Sequence, residues 1–119
     1  MLNKLLILLT IVLACGVLAA QAWAASSRTV ALRDFRIEIA RGSAPHGAIT
    51  WRITNHSGIY NHTFSIKRIS TGRVLYNSPV LAPGQSISPT RTLGAGTYRL
   101  YCRLPGHAAM GMKRNFTVT

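Results

Sequence analysis

The sequence predicts an all-β domain, a Greek-key β-sandwich or barrel of about eight strands, behind an N-terminal export segment. Short segments with alternating apolar and polar residues recur from Thr29 onward, separated by turns rich in glycine, proline and serine. Beyond the export segment, no stretch has the sustained apolar spacing of three and four that an amphipathic helix requires. Many short strands at even spacing are typical of a sandwich or barrel.

Two apolar series of opposite parity predict the first strands. One series occupies positions 30 and 32, and the other occupies positions 35, 37 and 39. The parity changes at Arg33-Asp34, as a bulge or a kink between two strands would produce. Ile49, Trp51 and Ile53 then alternate with polar residues, which predicts a half-buried strand.

The next strand is expected to start at His62. Positions 62, 64 and 66 should face the core, with positions 63, 65 and 67 on the opposite face. Val74 and Tyr76 indicate a short strand, and Pro89 favours a sheet edge for residues 85–93. Positions 98, 100 and 102 should point inward from the penultimate strand, and positions 116 and 118 from the last one.

The first 24 residues are predicted to be a targeting segment. Lys4 is followed by an apolar run over residues 5–20, and Ala22-Trp23-Ala24 matches a small-residue cleavage site. An uncleaved membrane anchor is the alternative, although the run is barely long enough for a span. Cys15 also loosely resembles a lipidation site, but the residues after it remain apolar. We expect an exported, periplasmic bacterial protein.

A run near the C-terminus contains donor atoms that suit copper. Thiolate, imidazole and thioether groups lie within residues 102–112, and this mixture of nitrogen and soft sulfur fits copper better than other common metals. Pro105-Gly106 predicts a turn that returns His107 toward Cys102. Metal ligation also explains an unpaired thiol in an exported chain. By composition alone, either Met110 or Met112 could contribute the thioether.

The pattern Cys-x-x-Pro-Gly-His-x-x-x-Gly-Met over residues 102–112 resembles the ligand loop of the cupredoxins. These are single-domain type 1 (blue) copper proteins such as plastocyanin and azurin. The family needs a second histidine upstream, and residues 55–64 are similar to that segment, with His62 in the ligand position. The resemblance extends over almost the whole chain after residue 28. It implies that residues 25–119 form a cupredoxin-like copper-binding domain.

The resemblance implies that His62, Cys102 and His107 bind one copper ion in a plane. Met112 occupies the family's Gly-Met position and is the expected axial ligand, with Met110 as its rival. Such a site is a compromise between the geometries of Cu(I) and Cu(II), which suits a carrier of single electrons. A protein that handles copper, in delivery or tolerance, without electron transfer is the alternative. No catalysis is expected, because one metal site and two acidic residues offer no acid/base pair.

Residues outside the ligand set receive roles as well. Asn55 and Thr63 are polar groups that could connect the two ligand segments by hydrogen bonds. In the cupredoxins the edge of the loop histidine is exposed within an apolar docking patch. The residues expected to form that patch here are Pro105, Ala108, Ala109 and Met110.

The charge of the chain predicts anionic partners. Fourteen lysines and arginines against two acidic residues give a formal net charge of +12. Such a field accelerates association with negatively charged surfaces. We expect docking on an acidic redox protein, with an anionic membrane surface as a further possibility. Export argues against nucleic acid as the partner.

Overall fold

The computed structural model describes residues 25–119. The predicted export segment, with its alternatives of anchoring and lipidation, lies outside the described residues. The described part contains ten β-strands and no helix. Their bounds are β1 Ser26–Arg33, β2 Arg36–Ile39, β3 Ser43–Ala44, β4 Gly47–Asn55, β5 Ser65–Arg68, β6 Val74–Asn77, β7 Ser86–Ile87, β8 Thr90–Leu93, β9 Gly96–Tyr101 and β10 Lys113–Val118.

The strands form two five-stranded sheets that enclose one core. The first sheet has the order β2-β1-β4-β7, with β8 also paired to β4, and the second has the order β3-β10-β9-β5-β6. Parallel pairing of β1 with β4 and of β3 with β10 interrupts the antiparallel pattern. The all-β sandwich prediction is confirmed. The structure has ten strands instead of about eight because β3 and β7 contain only two residues each. Strands of this length are too short to show an alternating pattern in the sequence.

The parity change in the first segment is a hairpin turn. Arg33 pairs with Arg36, so that Asp34 and Phe35 form a two-residue connection between β1 and β2. Phe35 has φ 61°, a left-handed conformation that is rare for a bulky side chain. The parity change predicted either a bulge or a kink between two strands, and the kink between two strands is the correct explanation.

The alternation predicted for the central strands is confirmed. The three apolar residues of β4, the inward residues of β9 with the adjoining Cys102, and those of β10 are all buried. The aromatic centre of the core is Trp51, whose ring centroid lies 5.4 Å from that of Phe64 and 4.9 Å from that of Phe116. Burial of these large apolar surfaces from both sheets supplies the main driving force for folding.

The prediction for the His62 segment is partly wrong. β5 begins at Ser65, whereas His62 lies before it in an isolated bridge with Leu81. Thr63 and Ser65, expected on the outer face, are buried together with their inward neighbours. Alternation fails here because the outer side of the segment is covered as well. The Thr63 hydroxyl contacts Cys102 and Arg103 after β9, and the Ser65 hydroxyl donates to Asn77 of β6.

Pro89 interrupts the edge of the first sheet, as predicted. β7 and β8 both pair with β4, and Pro89 lies between them, so its missing N–H leaves no ladder hydrogen bond unmade. The carbonyl of Pro89 still accepts a hydrogen bond from the Trp51 N–H at 2.8 Å. Nothing in residues 25–119 forms an apolar helix of membrane-spanning length.

Candidate metal centre

Three neighbouring strands bring the candidate donors to one end of the second sheet. The register explains this convergence, because Tyr101 at the end of β9 pairs with Ser65 of β5 and with Lys113 of β10. The chain segments that precede β5, follow β9 and precede β10 therefore emerge side by side. These segments and the loop between them carry His62, Cys102, His107 and Met112.

The loop from Cys102 to Met112 is folded by its own turn chemistry. The His107 N–H donates to the Leu104 carbonyl at 3.1 Å, with Pro105-Gly106 between them and φ 79° at the glycine, as a type II turn requires. The loop is closed by hydrogen bonds from the Cys102 N–H to Met112 O and from the Met112 N–H to His107 O, both 3.1 Å. His107 is returned toward the cysteine as predicted.

The ligating atoms of His62, Cys102 and His107 lie within 4.8 Å of one another. The two histidine Nδ1 atoms are 3.2 Å apart, and the Cys102 sulfur is 3.6 Å from His107 Nδ1. His62 and Cys102 are fully buried, whereas His107 is partly exposed. Two nitrogen atoms and one sulfur atom thus face a common point, as donors to a single cation would.

This donor set fits a copper ion. Atoms that each lie about 2 Å from one metal are separated by roughly 3–4 Å, which is close to the spacings observed here. Two imidazoles and a thiolate form the trigonal set typical of blue-copper sites, and the set contains no oxygen donor that would favour magnesium or calcium. One such cluster is found within residues 25–119.

The two methionines of the loop have different environments. Met112 is fully buried, whereas the Met110 side chain is 60 % exposed. Met112 is also hydrogen-bonded through its backbone to both Cys102 and His107. A buried thioether beside the cluster fits a weak fourth ligand better than an exposed one.

A comparison with protein families identifies the family of the chain. Residues 34–119 match the model of the copper-binding proteins of the plastocyanin/azurin family. The chain belongs to that family. It is thus a cupredoxin, with the histidine and cysteine cluster expected of a type 1 copper site. No curated protein matches the chain by sequence.

Solved structures similar to this cupredoxin agree with the fold. Auracyanin from Roseiflexus castenholzii has 24 % identity and a TM-score of 0.69, covering 81 % of this chain and 98 % of its own. Auracyanin A, a "blue" copper protein from Chloroflexus aurantiacus, has 18 % identity and a TM-score of 0.69, covering 81 % and 100 %. Rusticyanin from Thiobacillus ferrooxidans has 19 % identity and a TM-score of 0.67, covering 79 % and 77 %.

Thr63 connects the two ligand segments of the cupredoxin. Its backbone N–H and its hydroxyl both donate to the Cys102 sulfur, at 3.3 and 3.4 Å. The same hydroxyl oxygen accepts a hydrogen bond from the Arg103 N–H at 3.0 Å. Two donors aimed at the sulfur fix its position relative to the His62 segment.

Asn55 acts on the His62 segment instead of on the ligand loop. Its buried side-chain amide donates to the carbonyls of Tyr60 and Leu81, both at 2.9 Å, and its oxygen accepts from the Ser57 N–H. Leu81 is the residue that pairs with His62. Asn55 therefore holds the backbone next to the histidine, without contacting the loop of residues 102–112. His46 and His56 are exposed and lie outside the cluster.

Sequence reasoning missed two site residues, Asp34 and Phe35. An Asp34 oxygen lies 3.4 Å from His62 Nε2, and the Phe35 ring packs edge-on against the His107 ring at 5.2 Å. Both belong to the β1–β2 turn, far from the ligand motifs in the sequence. The one signal in the sequence was the change in apolar parity at this turn. That change does not indicate which residues the turn contacts in the folded protein.

Burial lowers the pKa of the His62 imidazole, and the Coulombic interaction with His107 acts in the same direction. The hydrogen bond to Asp34 opposes this shift without cancelling it. The pKa of Asp34 is itself lowered, first by a hydrogen bond from Ser57 and then by His62. The neutral imidazole is thus the favoured form in the folded protein, and this form can bind a metal.

We expect the free energy of unfolding of the metal-free protein to decrease as the pH falls through 6.5, the ordinary pKa of His62. The unfolded chain takes up a proton at His62 near that pH, while the folded chain resists protonation until a lower pH. Stability is therefore full above this value and is lost below it. Urea unfolding from about pH 7.5 to about pH 5.5 measures the dependence. A His62→Gln variant with the same pH dependence would contradict the assignment.

Proposed function

We propose that this protein is a type 1 copper protein that carries single electrons between redox partners in the periplasm and is not an enzyme. The observation that carries the proposal is the convergence of two histidine nitrogens and one cysteine sulfur in a member of the plastocyanin/azurin family. His62, Cys102 and His107 would hold the ion, with Met112 as the axial ligand. The bound copper would supply a one-electron couple.

The surrounding residues suit rapid electron exchange because they restrict movement of the ligands. His62 is held by its bridge to Leu81, and Cys102 by its backbone bond to Met112 and by the Thr63 donors. Close-packed interiors resist displacement. A site whose donors cannot move far adds little reorganisation energy to each transfer. Burial of His62 and Cys102 also excludes water.

His107 is the ligand through which electrons would leave. It is partly exposed, unlike the other two members of the cluster. The proposed docking patch around it consists of Pro105, Ala108, Ala109 and Met110. Pro105, Ala109 and Met110 are exposed, and Ala108 is partly exposed. An apolar rim around an exposed ligand favours brief, close contact with a redox partner.

The charge distribution favours an acidic redox protein as that partner. On the outer face of the second sheet, Lys67 pairs with Arg99 and Tyr101 pairs with Lys113, while Arg103 follows β9. The chain has two acidic residues. Asp34 lies against His62 and Glu38 pairs with Arg33 and Arg36, so neither forms an ion pair with these cations. Uncompensated positive charge beside the site steers an anionic partner toward it.

An absorption spectrum and a voltammogram of the copper-loaded protein test the function. We expect an intense absorption band in red light and one reversible one-electron wave. A colourless protein that retains only Cu(I) would overturn the proposal and favour copper handling. Mass spectrometry of the native protein tests export, with Ala25 expected as the first residue.

Met112→Leu is expected to change the reduction potential and the visible spectrum, and Met110→Leu to leave both nearly unchanged. Leucine keeps the volume and removes the sulfur, so either change is well tolerated by packing. Met112 is the buried methionine, and its backbone is hydrogen-bonded to Cys102 and His107. Voltammetry of the two variants compares them directly. A shift of the reduction potential in Met110→Leu alone would identify Met110, and not Met112, as the axial ligand.

Charge reversal beside the site is expected to slow reaction with anionic oxidants. We expect Arg103→Glu to lower the rate of oxidation by hexacyanoferrate(III) at low salt, and the difference from wild type to shrink as salt is added. Arg73→Glu is the matched control, because Arg73 is exposed at the opposite end of β5 from His62. Equal effects of the two changes in stopped-flow measurements would show that net charge, not its position, governs the rate.

A further inference from the structure

The turn between β1 and β2 places two consecutive side chains against the two histidines of the cluster. Asp34 Oδ1 lies 3.4 Å from Nε2 of His62, and the Phe35 ring centroid lies 5.2 Å from that of His107. These residues precede His62 by 28 and 27 positions, so the contacts exist only in the folded sandwich. The turn is therefore a second structural element that acts on the site.

The Asp34 contact favours a hydrogen on Nε2 of His62. An imidazole with its hydrogen on Nε2 can donate to the carboxylate, and its Nδ1 lone pair then faces His107 and Cys102. The opposite tautomer would place a hydrogen between the donors and remove the hydrogen bond from His62 to the carboxylate. A carboxylate behind a metal-binding histidine is a recurrent means of fixing ring orientation.

Phe35 holds the turn in place. Its left-handed backbone, φ 61°, is unfavourable for an aromatic residue and persists only where the surroundings enforce it. Its ring packs against Tyr60 at 5.3 Å as well as against His107. Its carbonyl approaches Gly111 so closely that an added Cβ atom there would lie 3.2 Å away. The turn therefore packs against both the segment that leads to His62 and the loop of residues 102–112.

We infer that Asp34 is a positioning residue that fixes the tautomer and orientation of His62 and holds the reduction potential below the value that the cationic surroundings alone would set. The inference rests on the proposed copper site. A negative charge next to a ligand favours Cu(II) over Cu(I), since Cu(II) carries the larger positive charge. Asp34 supplies that charge in a chain whose formal net charge is +12.

The chain offers a matched control in Glu38. It lies on the same hairpin, and its side chain is 42 % exposed, against 45 % for Asp34. Its carboxylate pairs with Arg33 and Arg36 and takes no part in the histidine contacts. Glu38→Gln removes the same unit of charge without touching His62. Asp34→Asn keeps an oxygen acceptor for the histidine, while Asp34→Ala removes both charge and acceptor.

In the metal-free protein, ¹⁵N NMR of the histidine rings tests the tautomer without any copper. We expect His62 in the wild type, in Asp34→Asn and in Glu38→Gln to be protonated at Nε2. In Asp34→Ala we expect a mixture of tautomers. An unchanged His62 tautomer in Asp34→Ala would overturn the positioning role.

In the copper-loaded protein, competition assays and voltammetry test the effect on the metal. We expect Asp34→Asn to weaken Cu(II) binding about tenfold, the lower end for an outer-shell partner. With Cu(I) affinity unchanged, that factor raises the potential by about 59 mV. Glu38→Gln should shift the potential far less, and its shift should vanish at high salt. Equal shifts in the two variants would overturn the inference, whereas failure of the wild type to bind copper would overturn the proposed function and leave the NMR result standing.

Discussion

Replacing Cys102 by serine is expected to abolish the red-light absorption of the copper protein and to weaken copper binding by more than about 100-fold. That factor is the upper end of losses caused by outer-shell changes, and removal of a ligand should exceed it. The thiolate is the softest donor of the cluster and the one that distinguishes copper from harder metals. A hydroxyl at the same position remains protonated near neutral pH and is a poor ligand.

The same change should leave the fold intact, which makes the result interpretable. Serine is slightly smaller, and its oxygen can still accept hydrogen bonds from the Thr63 N–H and hydroxyl that now reach the sulfur. Circular dichroism and thermal unfolding of the metal-free variant check this. His56→Ser is the control, because His56 is exposed and lies outside the cluster. Retention of colour and copper by the Cys102→Ser protein would refute the assigned site.

Those parts of the site that are local in sequence could be predicted. Cys102 and His107 are five positions apart, and a proline-glycine turn between them implies their approach by backbone chemistry alone. His62 is 45 positions from His107, and no local rule joins them. Only the resemblance to a family motif nominated it. The structure brings it within reach of the other two donors.

The contacts made by the β1–β2 turn could not be predicted, because they depend on how the two sheets pack. Asp34 and Phe35 look like ordinary turn residues in the sequence, since an acidic side chain and a parity change are common at hairpins. Their contacts with His62 and His107 arise when the first sheet closes over the end of the second. The neighbours of Asp34 and Phe35 are therefore determined by how segments that are distant in the sequence pack together.

Strands with one face toward the core were predicted well, and the segment covered on both sides was not. Ile49, Trp51 and Ile53 alternate with more exposed residues, because β4 faces the core on one side only. Thr63 and Ser65 break the rule, since Thr63 is covered by Cys102 and Arg103 and Ser65 is covered by Asn77 of β6. At Thr63 the departure from alternation reflects contact with the metal site.

Trp51→Ala is expected to lower the free energy of unfolding by about 3–5 kcal/mol. Trp51 is fully buried and contacts the rings of Phe64 and Phe116, so alanine leaves a large cavity between the sheets. Arg52→Ala is the control, because the neighbouring side chain is exposed and should change stability by less than about 0.5 kcal/mol. Urea unfolding of the metal-free proteins measures both.

Trp51→Phe separates the loss of packing from the polar part of the indole. The Trp51 Nε1–H is buried with no hydrogen-bond partner among residues 25–119, and an unpaired buried donor costs about 1–3 kcal/mol. Phenylalanine removes that donor and keeps an aromatic ring between Phe64 and Phe116. We therefore expect Trp51→Phe to cost much less than half of the Trp51→Ala loss. A loss as large as that of alanine would mean that the indole shape, rather than aromatic volume, holds the two sheets together.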